Sequence, residues 1–266
     1  MNDEDEFTFS IEGKDYTISE KNNSIDTKKK QTLHLPSLTI GAIISGICIA
    51  VVFFGVGGIS ESSEALIEKQ IVEKPIMQQQ ITMDTFFQNG SPVLGDLDAA
   101  VTLIEFGDYQ CHFCNVYYKN TEHKIYENYV RTGKVNVIFK DYTIIGPDSS
   151  SAAHAAHCAS EQGKFWEYHN TLYNNWGGEN NGWASTENLI RFAQQIGLNM
   201  EEFIECNDDE KYKNKISESN TDARTLGITG TPAFYLISTN NQQVQVVSGA
   251  QPYETFEKII DAMLEN

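Results

Sequence analysis

Residues 100 to 114, AVTLIEFGDYQCHFC, hold an apolar, β-branched run that breaks at Gly107 and resumes in two cysteines, Cys111 and Cys114, spaced C-x-x-C. The run Ala100 to Phe106, bounded upstream by Pro92, Gly95 and Asp98, predicts a buried strand. Downstream, Phe113, Val116, Tyr117, Ile125, Tyr126, Tyr129 and Val130 recur at roughly helical spacing and stop before Gly133. A second apolar run, Val135 to Phe139, follows. This is a β-α-β unit, in which two parallel strands are joined by a right-handed crossover.

Outward from that unit, Pro147 and Asp148-Ser149-Ser150-Ser151 open a long helical region. It contains an Ala-rich segment through Cys158, an aromatic one at Phe165, Trp166 and Tyr168, a third from Thr186 to Ile196, and more up to Leu226. Helices are thus expected as an insertion over about residues 148–226, with the Gly- and Asn-rich stretch Asn174 to Gly182 as a mobile loop. After Gly230-Thr231-Pro232 the pattern returns to strands, Ala233 to Ile237 and Val244 to Val247, around an Asn240-Asn241 turn. A last amphipathic helix carries Phe256, Ile259, Ile260, Met263 and Leu264. The expected class is α/β, a central mixed sheet with helices on both faces, spanning residues 82–266.

The net charge of -18 leaves no basic footprint of the kind phosphate recognition needs, so nucleic acid is not an expected partner. Leu38 to Ile59 is uncharged and long enough for the roughly 30 Å hydrocarbon core of a bilayer, longer than the roughly 7 to 15 apolar residues of a cleavable signal peptide. Lys28, Lys29 and Lys30 precede it and Glu61 and Glu64 follow it. The positive-inside rule then makes residues 1–32 a cytoplasmic acidic tail, 38–59 a single-pass signal anchor in the cell membrane, and 60–81 an outer stalk. The tail alternates like a small hairpin at Phe7, Phe9, Ile11, Tyr16 and Ile18, but a lone hairpin is marginal and a mostly disordered tail is expected. Everything past the span lies where disulfides persist. Cys48 falls in the span and reads as a small apolar residue, with palmitoylation the weaker alternative.

Cys111-His112-Phe113-Cys114 after a strand, with a Pro-containing turn before a distant β-hairpin, resembles the arrangement of thioredoxin-fold oxidoreductases. Within them the sequence is similar to DsbA-like proteins, through Val93 to Cys114, Gln162 to His169 and Gly227 to Phe234. The resemblance implies a thioredoxin fold with an inserted α-helical subdomain, here preceded by one transmembrane helix. It further implies protein thiol-disulfide exchange through Cys111 and Cys114, a cis-proline at Thr231-Pro232 that docks substrate as an added strand, and a structural disulfide between Cys158 and Cys206. Glu105 and Lys140 match the places of a buried acid and base beneath the disulfide, a possible proton relay alongside the plainer reading of an ion pair or strand-end charge. Expected partners are cysteine-containing exported proteins and a separate redox protein that recycles the pair; no cofactor is expected, and the chain reads as a monomer.

The chemistry follows from the thiolate being the nucleophile and from the positive end of a helix favouring the anion, which makes Cys111 the attacking sulfur. Cys114, one turn further on, resolves the mixed disulfide. His112 and Phe113 tune this poise: a protonated His112 would stabilise the thiolate, whereas Phe113 supplies no polar partner. In the best-known oxidases of the family the histidine precedes the second cysteine, so the resemblance carries over no redox strength. Disulfide formation leads as the expected activity, with a reductase or a non-enzymatic copper or zinc carrier as alternatives and an isomerase set lower because the stalk is too short to be a dimerisation domain. No bound metal is expected; the competing idea is a site at His154, His157 and Cys158. Asn89-Gly90-Ser91 is a glycosylation sequon.

Overall fold

In a computed structural model of the chain, the structure describes residues 81–265 and the backbone of three strands near the N-terminus. These are β1 (Glu6–Ile11), β2 (Lys14–Ser19) and β3 (Ser24–Lys28), an antiparallel meander with Phe7 opposite Ile18 and Phe9 opposite Tyr16. Strands thus stand where a mostly disordered tail was expected, because a third strand supplies the extra pairing that a two-stranded hairpin lacks. The expected span at 38–59, Cys48 within it, and the stalk up to residue 80 lie outside the described residues. Among the described residues no helix is long and apolar enough to cross a membrane.

After the short helix α1 (Met83–Phe87), the apolar runs become β4 (Val101–Gly107) and β5 (Val135–Asp141), parallel from Val101 opposite Val135 to Gly107 opposite Asp141. Both strands are buried along their whole length, which requires cover on both faces and explains why neither shows polar alternation. The crossover is α2 (His112–Tyr117), a wide π-type turn at Tyr118–Glu122, α3 (His123–Ile125), and a second π-type turn at Tyr126–Val130. Gly133, at φ 73°, takes the left-handed conformation that closes the helical stretch. β6 (Ala233–Ser238) pairs antiparallel with β4, and β7 (Val244–Ser248) with β6, giving the order β5-β4-β6-β7.

Alternation along β4 and β6 sorts the core. Val101, Leu103, Phe234 and Leu236 pack with Phe256, Ile260 and Met263 of α9 (Tyr253–Leu264) and with the crossover helix. Ile104, Phe106, Ala233 and Tyr235 pack on the opposite face with Phe86, Ala223 and Leu226. Between β5 and β6 lie α4 (Pro147–Ser160), α5 (Phe165–Asn174), α6 (Thr186–Gln195), α7 (Met200–Asp208) and α8 (Lys213–Thr225). Buried alanines line α4, and their small side chains let Phe165, Tyr168 and Leu172 of α5 and Phe203 of α7 share one cluster with it.

That cluster is clasped by a disulfide between Cys158 of α4 and Cys206 of α7, 48 residues apart in sequence with Cα atoms 5.8 Å apart. Closing a loop of that length restricts the unfolded chain by about 4 kcal/mol on entropy grounds. Replacing both cysteines by alanine is therefore expected to lower the unfolding free energy in urea by about 2–4 kcal/mol. Exchange at Cys111 in the folded variant should be retained.

Candidate active site

The site begins where β4 ends. A side chain on Gly107 would run into the Phe139 ring, so the chain can turn there only with glycine. The next residue, Asp108, is buried, and its carboxylate accepts from the backbone N–H of Gln110 at 2.9 Å, Ile144 at 2.8 Å and Ile145 at 3.0 Å. Burial raises its pKa, and these amides pull it back down. Its carbonyl also accepts from Cys111 N at 3.0 Å. The turn is thereby fixed to the loop after β5, and Cys111 is left in an extended conformation as the last residue before α2.

The two thiols are free and differ sharply in environment. The Cys114 thiol donates to Cys111 Sγ; with the Thr231 side chain and the amides of Cys114 and Phe113, it brings the Cys111 pKa from 9.0 to about 6 against the opposing effect of burial. Cys114 is fully enclosed, and burial, its bond to Cys111 and the charges of Cys111 and Glu105 push its thiol well above the ordinary value. One sulfur is therefore poised as an anion at neutral pH and the other is held as a thiol.

Across from Cys111 the Thr231-Pro232 peptide is cis, and the Thr231 carbonyl accepts from the Cys111 thiol at 3.3 Å. His112 and Phe113 are both exposed. The stretch Asn174 to Gly182, expected as a mobile loop, is tied to this corner by several polar bonds. Trp176 Nε1 donates to the Gln110 carbonyl at 2.9 Å, and Asn180 N to Gln110 Oε1 at 2.7 Å. Glu179 Oε1 accepts from His112 N at 3.0 Å, which sets a carboxylate against the same helix end and so works against the thiolate. Trp176, Glu179 and the buried Gln110 carry no local motif, and only the fold brings them together.

Glu105 and Lys140 do not form a pair. The register sets Glu105 opposite Phe139 and Lys140 opposite Phe106, so successive side chains send the two residues to opposite faces of the sheet. Lys140 Nζ instead donates to the carbonyl of Thr85 at 2.9 Å, to that of Gln88, and to Asp222 Oδ2 at 2.7 Å. Burial lowers its pKa against the pull of Asp222. Glu105 stays beneath the thiols, 2 % exposed, with Oε1 unpartnered and its pKa raised by burial and by the charges of Glu122 and Cys111.

The metal idea at His154, His157 and Cys158 is also corrected. His157 Nε2 turns to Asp141 Oδ2 at 2.7 Å, His154 Nε2 meets the Cys206 carbonyl at 3.0 Å, and the Cys158 sulfur is consumed by the disulfide. In the sequon, Asn89 Nδ2, the nitrogen that glycosylation needs, donates to Asp222 Oδ2 at 3.2 Å.

A C-x-x-C at the head of a helix, with a cis-proline peptide facing its first sulfur and a four-stranded mixed sheet behind it, defines a thioredoxin-type thiol-disulfide site. The chain belongs to the thioredoxin family, which it matches over residues 88–262. It is 26% identical over 179 residues to disulfide bond formation protein D of Bacillus subtilis, covering 66% of this chain and 78% of that protein. The probable disulfide bond formation protein D of Bacillus cereus is 28% identical over 147 residues, covering 54% of this chain and 68% of that protein. Among solved structures, oxidised BdbD from B. subtilis superimposes with a TM-score of 0.60 at 26% identity, over 66% of this chain and 94% of that one. The α-DsbA1 of Wolbachia pipientis gives 0.59 at 25% identity, over 66% and 92%.

Two outcomes test this geometry. Lys140→Met should destabilise the fold by about 3–5 kcal/mol in denaturant titration, because it strands Asp222, yet leave the Cys111 titration in place. Glu179→Gln should move that titration, followed by thiolate absorbance, below about 6 by about half a pH unit.

Proposed function

We propose that this chain is a protein thiol-disulfide oxidoreductase that introduces disulfides into exported proteins. The observation that carries the reading is the asymmetry of the two sulfurs, an anion favoured at Cys111 and a thiol enforced at Cys114. A client thiolate attacks Sγ of Cys111 in the oxidised pair; the Cys111–Cys114 bond breaks, and its electron pair leaves on Cys114, which takes up a proton. A second client thiolate then attacks the client sulfur of the mixed disulfide. The client gains its disulfide, and Cys111 departs as the stabilised thiolate. A leaving group of low pKa speeds that second step and favours the reduced enzyme, which is what makes a disulfide oxidising.

Thr231 and cis-Pro232 would present the client's extended backbone to Cys111, since the carbonyl beside the sulfur is free to pair with a strand once the thiol proton is gone. Phe113, 59% exposed beside the sulfur, offers that client an apolar contact. The names of the B. subtilis and B. cereus relatives support the oxidising direction. A separate redox protein, meeting the same corner, would reoxidise the pair. The uncharged run Leu38 to Ile59 would hold the domain outside the cell membrane as a single-pass anchor.

Reduced ribonuclease should be oxidised by the wild type, and Cys111→Ser should lose this activity. Cys114→Ser, offered a client that already carries a disulfide, should accumulate mixed disulfides visible on non-reducing gels, because Cys111 opens the client bond and nothing resolves the product. Equilibration with glutathione should place the couple well above the about -270 mV of thioredoxin; a value at or below it would assign a reductase instead. The depressed Cys111 pKa also fixes a pH signature. Its stabilisation of the reduced fold is complete above the unfolded thiol's pKa of about 8.5 and is lost as pH falls through about 6. Thermal melts of the two redox forms should therefore show reduced-form stability growing, relative to the oxidised form, between those values.

A further inference from the structure

The reaction needs a proton at Cys114, which is 0% exposed. Glu105 is the acid beneath it, and it is as sealed as the sulfur: Tyr109, Tyr117 and Tyr173, all buried, sense its charge from the surrounding elements. Lys140, the base expected to serve it, lies on the far face of the sheet. A buried carboxyl that gives up a proton once per turnover must be refilled from somewhere.

The group that reaches outward is Glu122. It ends the π-type turn Tyr118–Glu122, and such widened turns often mark functional positions in helices. Its side chain is 18% exposed, so it touches solvent. It also extends inward: Oε2 is buried without a hydrogen-bond partner, and Oε1 lies 3.4 Å from Nε2 of His169, which is fully buried. His169 Nδ1 in turn meets the Tyr109 hydroxyl at 3.1 Å. Tyr118 and Tyr173 stack at 5.0 Å between ring centres beside this group, and the Tyr173 hydroxyl is another buried polar atom without a partner. Unsatisfied buried polar atoms are rare in folded proteins, and Glu105, Glu122 and Tyr173 each carry one here, with Glu105 Oε1 beside Gly107 and the Phe139 ring, which itself packs on His169 at 5.0 Å between ring centres.

We propose that Glu122 connects Glu105 to solvent, so that the two carboxyls carry the proton exchanged with Cys114 while His169 holds Glu122 in place. This rests on the disulfide-exchange reading above. When the client attacks Cys111, the electron pair released on Cys114 takes the proton of the Glu105 carboxylic acid, leaving Glu105 as a carboxylate. Glu122, at the solvent end, then takes a proton from water and passes it to Glu105, which restores the carboxylic acid. When the pair is reoxidised, the same proton runs outward. The titratable groups that face the route are Glu105, Glu122, His169, the two thiols, the hydroxyls of Tyr109, Tyr117, Tyr118 and Tyr173 and, through Tyr109, Asp141. Burial, with the charge of Glu122 next in importance, holds the Glu105 carboxyl well above the ordinary range, so that it carries the proton it donates. Glu122 acts through Glu105 and is a positioning and relay residue, with no contact to the reacting sulfurs claimed.

The test is a single-turnover reduction of the oxidised full chain by a cysteine-containing peptide, followed across pH for wild type, Glu105→Gln, Glu122→Gln, Glu122→Asp and the double glutamine variant. Glu122→Gln should slow the step by about tenfold and change the pH profile, Glu122→Asp should restore much of the rate, and the double variant should be no slower than Glu105→Gln alone. A Glu122→Gln variant whose rate and pH profile match an active wild type overturns the relay and leaves the exchange reading intact. Additive losses in the double variant also overturn it. A wild type inert toward the peptide removes both. Should Glu122→Gln fail to fold, an aspartate variant with no change in pH profile, set against a slowed Glu105→Gln, overturns the relay equally.

Discussion

The three amides gathered by the buried Asp108 carboxylate are the constraint on which the rest of the site depends. A carboxylate removed from water must be satisfied by strong donors, and these come from two separate segments, the turn before α2 and the loop after β5. Meeting that demand pins the turn to the sheet and orients Cys111 toward the open end of its helix. Gln110 repeats the device one layer outward: its side-chain amide donates to Ser149 Oγ at 2.9 Å and accepts from Asn180 N, so the helical insertion shares the same corner. The chemistry of the sulfur is thus inherited from groups that never touch it.

Given that turn, the difference between the sulfurs follows from depth. Cys111 stands at the mouth, where unpaired amides and the Cys114 thiol outweigh the loss of water. Cys114 lies one turn inward, against Tyr173 and above Glu105, where a second negative charge has no compensation. Glu179 opposes the first trend by placing a carboxylate on the amide of His112. The sulfur at the mouth is therefore set by a balance of opposing groups drawn from β4, α2, the cis-proline turn and the loop after α5.

Much of the fold was legible because fully buried strands leave an unmistakable trace: β4 and β5 are nearly continuous apolar runs, and β6 and β7 flank a clear turn. The C-x-x-C and Thr-Pro positions were legible for the same reason, being local patterns at element boundaries. Relations between strands were not. Parity along one strand says which residues share a face, but whether Glu105 and Lys140 meet depends on the register of β4 against β5, and one residue of offset separates them. Glu122 and His169 were hidden because widened helical turns leave no composition mark. The loop at Asn174 to Gly182 had the residues of a mobile segment, yet Trp176, Glu179 and Asn180 each find a partner that sequence distance conceals.

The clasp between Cys158 and Cys206 belongs to the same chemical class as the bonds that Cys111 and Cys114 would make in others. A newly made chain consequently gains that restriction of its helical layer only after an oxidant has removed two electrons from the pair, so the redox state of its surroundings is written into its stability.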